Sequence, residues 1–598
     1  MAKTIEKDIL LSEAMVTPGF KVDFAVGTTY SLDLQYLLGI TVFLGLLGEV
    51  DELLRKSPHY LLNAVLESRD KFMVFCNASN ISEESLKIPK PAQKLFSLLE
   101  NSIKPICLSK NVNKIVSFHP KVWIIKETEV DGDLSQIKVI VSSRNMTQSG
   151  CLDIAAVLTG KICNVDGNIG KVKPLWEFLE WLKSESKNTI SKEQTKKIDA
   201  LISDLKKVRK FDVCIEDASG NPEVFDDYEF IPIGMNDENA GHRCFDEIGN
   251  SRDCVVMSPF IDEVGLKNIF TYAGRKTLIT RKEWLSQISE ELFEKFQESD
   301  GVYVVKGELL DSDDVTSDLH AKMYFSNNAG RNYLYLGSTN ATKNGFYRNA
   351  EFLLKLRYSP NLSSYNVYRN ELINDERECL FERITQYDTQ AESPIVNDEE
   401  IRKAVIIIQN TKATVESSGE LWNVKLTTSK LIDGIKIYSI HRPDMIQQLS
   451  KENTFVGFKL VELSELYVVE AGGFSRIVKL QTKGLPTKER DIAIKNSIID
   501  SPSKFLDYLG YILSDSPESF ITEREHLKKI LEKMPGGESK YLLDSPLYED
   551  FLRLSYSEPD RIIQIKDKID GLDKKVIPEG FMNFYSAFEK AAKTSRRK

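Results

Sequence analysis

Two tripeptides carry side chains that could do chemistry, His119-Pro-Lys121 and His320-Ala-Lys322. A His-x-Lys alone says little. With 79 Lys plus Arg among 598 residues, six histidines yield fewer than one His-x-basic tripeptide by chance, and the chain has three. The third, His526-Leu-Lys528, falls in a segment with helical periodicity and serves as an internal control. The first two share a second half. Ser142-Ser143-Arg144-Asn145-Met146-Thr147 follows one, and Gly337-Ser338-Thr339-Asn340-Ala341-Thr342 follows the other. Breaking a phosphodiester calls for a nucleophile, a proton donor for the leaving oxygen, and positive or hydrogen-bonding groups around the charged oxygens. Two His, two Lys and two Asn supply that set without a metal. A core strand does not spend two positions on His and Lys unless something uses them, because buried charge is costly.

The elements around these residues repeat. Phe24 to Tyr30 reads as a strand, Leu32 to Leu54 as a helix and Lys71 to Cys76 as a strand. Ile115 to Ile125 and Ile137 to Ser142 then read as paired strands across a polar turn, followed by a strand over Ile154 to Thr159. The second half opens the same way with Asp253 to Ser258, Lys276 to Thr280 and a helix over Lys282 to Glu298. Leu319 to Phe325, Asn332 to Gly337 and Glu351 to Leu356 complete it. Alternate residues of a strand share a face, so each His projects with its Lys and each Ser with its Asn.

Between the halves, Asp212 to Glu247 is acidic and rich in Gly, Pro and Asn, as a linker or surface insertion would be. Lys183 to Lys210 reads as a solvated amphipathic helix, and the Trp176 and Trp181 pair as core packing. After about residue 400 short alternating strands follow, Val405 to Gln409 first and Ile477 to Leu480 last, as in a small β module. From Pro502 onward the chain reads as helical, including Glu518 to Met534, with Asp500-Ser501-Pro502 as a helix start. The expected division is a first lobe over 1–190, a helical or acidic linker over 191–247, a second lobe over 248–400, a β module over 401–485 and a helical region over 486–598.

Bulk properties narrow the class. A composition of 41% hydrophobic and 28% charged residues is that of a soluble globular protein. The apolar run Tyr36 to Leu47 is shorter than the roughly twenty residues a membrane span needs, and Met1 to Glu13 lacks the pattern of a secretory signal. Eight scattered cysteines (76, 107, 151, 163, 214, 244, 254 and 379) form no Cys-x-x-Cys. Thiols in a reducing cytoplasm are the simplest reading, and neither zinc nor any other cofactor is expected. The net charge of −10 argues against a wholly basic coating protein while allowing a local basic groove.

The paired motifs resemble the phospholipase D superfamily, whose members bring two His-Lys repeats face to face around one phosphate. The likeness covers roughly residues 20 to 380. Gly337 to Gly345 followed by Asn349-Ala350-Glu351 is similar to nuclease-type members. The Asp that the simplest family signature carries after each Lys is absent, with Glu127 and Asn327 near those places, a form similar to tyrosyl-DNA phosphodiesterases and some restriction endonucleases. The resemblance implies an α/β fold with two α/β/α lobes as a pseudo-dimer, and a phosphohistidine intermediate.

It makes His119 the nucleophile and His320 the acid, although the residues themselves allow the reverse order. Lys121, Lys322, Asn145 and Asn340 would hold the phosphate, with Ser143 and Ser338 as further contacts. Glu351 would fix the ring of a histidine, and Asp153 is the corresponding carboxylate of the first half. Arg144 and Arg281 read as ordinary salt-bridge residues. The implied activity is a metal-independent nuclease, acting on DNA ahead of RNA, with a place in bacterial genome defence and a protein partner for the C-terminal region. A hydrolase of phospholipids or small phosphodiesters is the alternative within the same chemistry, and a non-catalytic nucleic-acid-binding scaffold the alternative outside it. No membrane partner is expected.

Overall fold

The computed structural model describes residues 14–45, 57–109, 112, 114–147, 151–163, 169–213, 225–306, 318–328, 330–358, 365, 369, 372–373, 380–387, 398–431, 433–514, 520 and 547–596. His526-Leu-Lys528, most of the helix expected over Glu518 to Met534, Cys214 and Cys379 lie outside them.

The repeat read from the sequence is a repeat of sheets. In the first half β1 (Phe20–Thr29), β2 (Phe72–Asn77) and β3 (Ile103–Ile106) run parallel, and β4 (Val122–Glu129), β5 (Ser135–Ser142) and β6 (Ala155–Lys161) run antiparallel beside them. With β7 (Asp212–Val213) at its edge, the sheet has the order β3-β2-β1-β4-β5-β6-β7. The edge strand β8 (Phe225–Ile233) belongs to the second sheet, whose further strands are β9 (Asp253–Met257), β10 (Lys276–Ile279), β11 (Val302–Val305), β12 (Met323–Asn328), β13 (Arg331–Gly337), β14 (Glu351–Tyr358) and β15 (Phe381–Ile384). Its order is β15-β11-β10-β9-β12-β13-β14-β8, so six strands repeat the first sheet in order and direction.

Strand alternation sorts the side chains into layers. Val122 and Ile124 of β4 and Met323 and Phe325 of β12 share one apolar cluster between the two sheets. The residues in between turn outward: Trp123 and Ile125 meet the helices of the first half, and Tyr324 meets those of the second. A period of two with both faces buried is what a covered sheet demands. Helix, sheet, sheet and helix therefore stack, which is the α/β class expected.

Several elements differ from the sequence reading. Asp212 to Glu247 is not a simple linker, because it holds β7, β8 and the start of a helix over Ala240–Gly249. Gly234, Asn236 and Asn239 lie between β8 and that helix. The helix expected over Lys282 to Glu298 splits into a 3-10 turn, Lys282–Gln287, and a helix, Glu290–Glu298, because Ser289 caps the second piece through Leu292 N. Val405 to Gln409 is helical, not a strand. It ends α1 (Glu399–Ile408), whose Ile401, Ala404, Val405 and Ile408 recur at helical spacing in the core of the β module. That module otherwise consists of β16 (Lys412–Ser418), β17 (Leu421–Thr427), β18 (Lys436–Ser439), β19 (Gln447–Gln448), β20 (Glu452–Phe458), β21 (Leu466–Ala471), β22 (Phe474–Lys479) and β23 (Thr482–Lys483), in two four-stranded sheets of order β20-β17-β16-β23 and β19-β18-β21-β22.

The C-terminal helices, beginning with α2 (Thr487–Ile498), cover the outer face of the first lobe together with part of the β module. Within this contact Arg490 forms a 2.7 Å ion pair with Glu100, and both side chains are at most 3% exposed. Ser464 Oγ also donates to Glu100. Among the described residues no helix is long and apolar enough to cross a membrane.

Removing one partner of such a pair strands a buried charge. We therefore expect Arg490→Ala to lower the free energy of unfolding by about 3–5 kcal/mol in urea denaturation. A loss under about 1 kcal/mol, the range of surface pairs, would contradict the buried role of this contact.

Candidate active site

Each His-x-Lys lies just before a central strand and not within it. Residues 119–121 precede Val122 of β4, and residues 320–322 precede Met323 of β12. Simple strand alternation therefore does not orient them. What does is a pair of backbone bridges between the lobes. Phe118, before His119, pairs with Ala350, and Leu319, before His320, pairs with Leu152. His119 N donates to Ala350 O at 2.9 Å, and His320 N donates to Leu152 O at 2.9 Å. Behind the first bridge the fully buried Phe118 stacks on Trp181 with ring centroids 6.1 Å apart, which gives Trp181 its packing role.

Ala350 and Leu152 each stand one residue before a carboxylate, so the bridges deliver each histidine to an acid of the opposite lobe. His119 Nδ1 lies 2.7 Å from Glu351 Oε2, and His320 Nδ1 lies 2.8 Å from Asp153 Oδ1. The serines fix those acids. Ser143 Oγ donates to Asp153 at 2.7 Å and accepts from Ile154 N at 2.9 Å. Ser338 Oγ donates to Glu351 and accepts from Phe352 N at 2.9 Å. Both hydroxyls are thus engaged with carboxylates, where direct phosphate contact was expected. Asp153, named as the first half's counterpart of Glu351 and as a further candidate for the substrate, is engaged with His320. Gly337 allows the second arrangement, since its φ is +149° and a Cβ there would strike the Phe352 carbonyl.

Lys121 Nζ lies 3.1 Å from His119 Nε2 and 3.1 Å from His119 O, while Lys322 Nζ donates to His320 O at 2.6 Å. An ammonium can only donate, so Nε2 of His119 presents its lone pair and Nδ1 carries the hydrogen toward Glu351. Asn145 Oδ1 accepts from Ser31 N at 3.4 Å. Asn340 Oδ1 is buried and meets no donor among the described residues. Glu127 does not reach this place: it bonds Thr17 and Gln136 and pairs with Lys138 at 3.1 Å in the sheet interior. Asn327 is bonded to Asn332.

Three further residues stand beside the motifs, of which Tyr30 carries no motif of its own. Tyr30 brings its ring 4.8 Å from that of His119 and lies under Lys121 Nζ at 5.9 Å. Asn349 Nδ2 donates to Glu351 at 3.3 Å. Arg281 Nε donates to Leu319 O at 2.7 Å while pairing with Asp318 at 2.8 Å, so it steadies the residue before His320. A strand end followed by a turn marks Tyr30 in the sequence, yet nothing there indicates its distance to His119. Arg144 pairs with Asp153 at 3.6 Å. His59 and His441 are buried far from the motifs, the latter against Ser97 at 2.8 Å. Among the described residues no group of His, Cys, Asp and Glu has an arrangement that could hold a metal ion.

Burial dominates the electrostatics. It holds His119 well below the ordinary histidine range, aided by Lys121 and Lys322. It brings His320 down to about 3, again with help from Lys322. Lys121 falls to about 7 and Lys322 well below its ordinary range through desolvation, while Glu351 rises to about 8. Burial also pushes Asp153 up, but the bonds and charges of His320, Lys322 and Ser143 outweigh it and leave the carboxyl lowered. Burial thus favours neutral imidazoles and leaves both lysines holding their protons weakly.

No protein-family profile and no curated protein sequence matches the chain. Among solved structures it is similar to polyphosphate kinase from Porphyromonas gingivalis, at 12% identity and TM-score 0.33 over 66% of this chain and 49% of that one. It thus spans about half the length of that kinase. It is also similar to phosphatidylserine synthase from Haemophilus influenzae, at 12% identity and TM-score 0.35 over 62% of this chain and 84% of that one. NucT from Helicobacter pylori aligns at 15% identity and TM-score 0.20 over 24% of this chain and 91% of that one.

An oxyanion entering between the lysines stabilises their charged forms, so binding near neutrality takes up protons. Lys121 is half deprotonated in the free protein at about pH 7, and its pKa rises when the anion is bound. Tungstate affinity measured by calorimetry is therefore expected to fall as the pH rises through that value, by up to about tenfold per unit for one proton. Lys121→Met should flatten the slope. Affinity independent of pH would refute the assignment of Lys121 as an anion ligand.

Proposed function

We propose that the chain is a phosphodiesterase that cleaves nucleic acid through a histidine-bound intermediate, using Lys121 and Lys322 as its cations. The observation that carries this reading is the crossed pairing of His119 with Glu351 and His320 with Asp153. Each imidazole has one nitrogen tied to a carboxylate, which sets the tautomer and steadies the cation formed during reaction. The other nitrogen serves the phosphorus centre, on His119 once Lys121 Nζ has turned from Nε2 to a phosphate oxygen.

In the first step His119 Nε2 attacks phosphorus, the bond to the leaving oxygen breaks, and His320 gives that oxygen its proton. In the second, His320 takes a proton from water, the resulting oxygen attacks phosphorus, and the bond to His119 Nε2 breaks. The protein is then as it began. Lys121 and Lys322 oppose the charge on the non-bridging oxygens, and the side-chain amides of Asn145 and Asn340 serve the same oxygens. The bound diester supplies the negative charge that lets buried lysines and an imidazole hold protons near neutral pH. Nucleic acid is favoured as substrate because Tyr30 offers an aromatic face beside His119, and base–aromatic stacking needs such a face. DNA stands ahead of RNA only through the resemblance of Gly337 to Glu351 to nuclease-type members.

Cleavage of oligonucleotides is expected to persist in EDTA and to fall by about 10⁴-fold or more in His119→Ala and in His320→Ala, as for loss of a catalytic-triad member. Brief reaction of wild type followed by quenching in alkaline detergent should leave an acid-labile, base-stable nucleotide adduct on the protein. Strict dependence on Mg²⁺, or headgroup release from phospholipid vesicles with no cleavage of nucleic acid, would overturn the reading.

A further inference from the structure

Arg402 lies outside both lobes, on helix α1 of the β module, and takes no part in the chemistry above. Its module is fastened next to the candidate active site. Ile477 N donates to Ile81 O at 3.0 Å, and Ile81 in turn bridges Leu32, which follows Tyr30 by two residues. Arg476 immediately precedes Ile477 and places its guanidinium 3.9 Å from Asp398. Arg402 Nε donates to that same carboxylate at 2.9 Å. One carboxylate thus serves two guanidinium groups. Arg402 is also within electrostatic range of Tyr30, whose ring lies 4.8 Å from that of His119.

The Arg402 side chain is 30% exposed, so it is held by Asp398 yet open to a ligand. A guanidinium with free donors and a fixed position is suited to a phosphate oxygen pair. The scissile phosphate itself belongs to the buried lysines, so the anion that meets Arg402 is a different one. A chain with a phosphate on each side of every sugar supplies it, whereas a diester with a single phosphate does not.

We propose that Arg402, backed by Arg476, binds the phosphate next to the scissile one while the adjoining nucleoside lies against Tyr30, which makes the β module one wall of the substrate groove. This rests on the nuclease reading. It assigns the C-terminal region a role in holding substrate and requires a substrate with at least two phosphates.

The test compares kcat/KM for oligothymidylate with that for bis(para-nitrophenyl) phosphate, which has one phosphate. In Arg402→Gln the ratio of the two is expected to fall about tenfold, the loss of one charge-assisted contact. The change should lie in KM, with a shallower dependence on salt, and Arg402→Lys should recover part of it. An equal fall on both substrates would show a merely structural role and overturn the proposal, and the small diester also reports that the variant is folded. An unchanged ratio with both substrates cleaved overturns it as well, leaving the nuclease reading standing. Hydrolysis of the small diester by wild type with no cleavage of nucleic acid removes that reading and this proposal together.

Discussion

Two short backbone bridges hold this structure's chemistry in place. Phe118 pairs with Ala350 and Leu319 with Leu152, and each bridge ends one residue before a histidine on one side and one residue before a carboxylate on the other. Fixing main chain to main chain leaves the side chains few conformations in which to miss each other. The serines then remove the remaining freedom, since each hydroxyl is held by a backbone N–H and aimed at its acid. Neither lobe can assemble a histidine and its acid alone. The apolar cluster shared by the two sheets is therefore what gives the site its precision, because it locks the bridges in register.

Such a site is expensive to fold. Lys121, Lys322, His119 and Glu351 are buried and His320 and Asp153 are partly so, and isolated buried charge costs several kcal/mol per ion. The protein limits that cost by changing charge state and by crowding donors onto the acids. Its lysines are pushed toward neutrality, its imidazoles are neutral, and Ser338, Asn349 and His119 converge on Glu351. What is left over is a pair of lysines that regain their protons when an anion such as a phosphate comes between them. Part of the energy stored on folding is thereby recovered on binding, in the place where transition-state charge develops.

Much of this was legible in the residues. The repeated His-x-Lys and Ser-x-Asn halves, the alternating strands and the common order of elements come from local patterns, and local patterns survive in sequence. Glu351 and Asp153 could be named because each follows its Asn by a short interval. Their exchange between lobes could not, since nothing in one strand encodes which face of another it meets. The serines were read as phosphate ligands because their spacing is that of Asn, but parity cannot tell a hydroxyl aimed at a phosphate from one aimed at a carboxylate. Val405 to Gln409 misled for a different reason: a short apolar run of β-branched residues fits a strand and a buried helix face equally, and only Ile401 and Ala404 at helical spacing decide it. Tyr30 and Arg402 carry no motif at all.

The repeat that builds the site is also broken within it, and the break bears on which histidine does what. The turn Thr29 to Asp33 matches Ser258 to Asp262 bond for bond: Thr29 and Ser258 each accept from the residue after an Asn, Met146 in one case and Ala341 in the other. Tyr30 therefore corresponds to Pro259, and among the described residues only the first lobe places an aromatic ring against its histidine. Only there does the lysine reach Nε2 of the histidine, since Lys322 stops at the His320 carbonyl. The outer face of the first lobe is covered by the C-terminal helices and the β module, that of the second by its own helices. His119 accordingly sits in the more enclosed position, which in the proposed mechanism suits the attacking nitrogen, with Lys121 Nζ 3.1 Å from its Nε2 to pass to a phosphate oxygen. His320 is slightly more open, at 14% side-chain exposure against 9% for His119, which suits a group that must exchange its proton with a leaving oxygen and then with water. Symmetry supplies the two imidazoles, and the lobes' unequal surroundings divide the work between them.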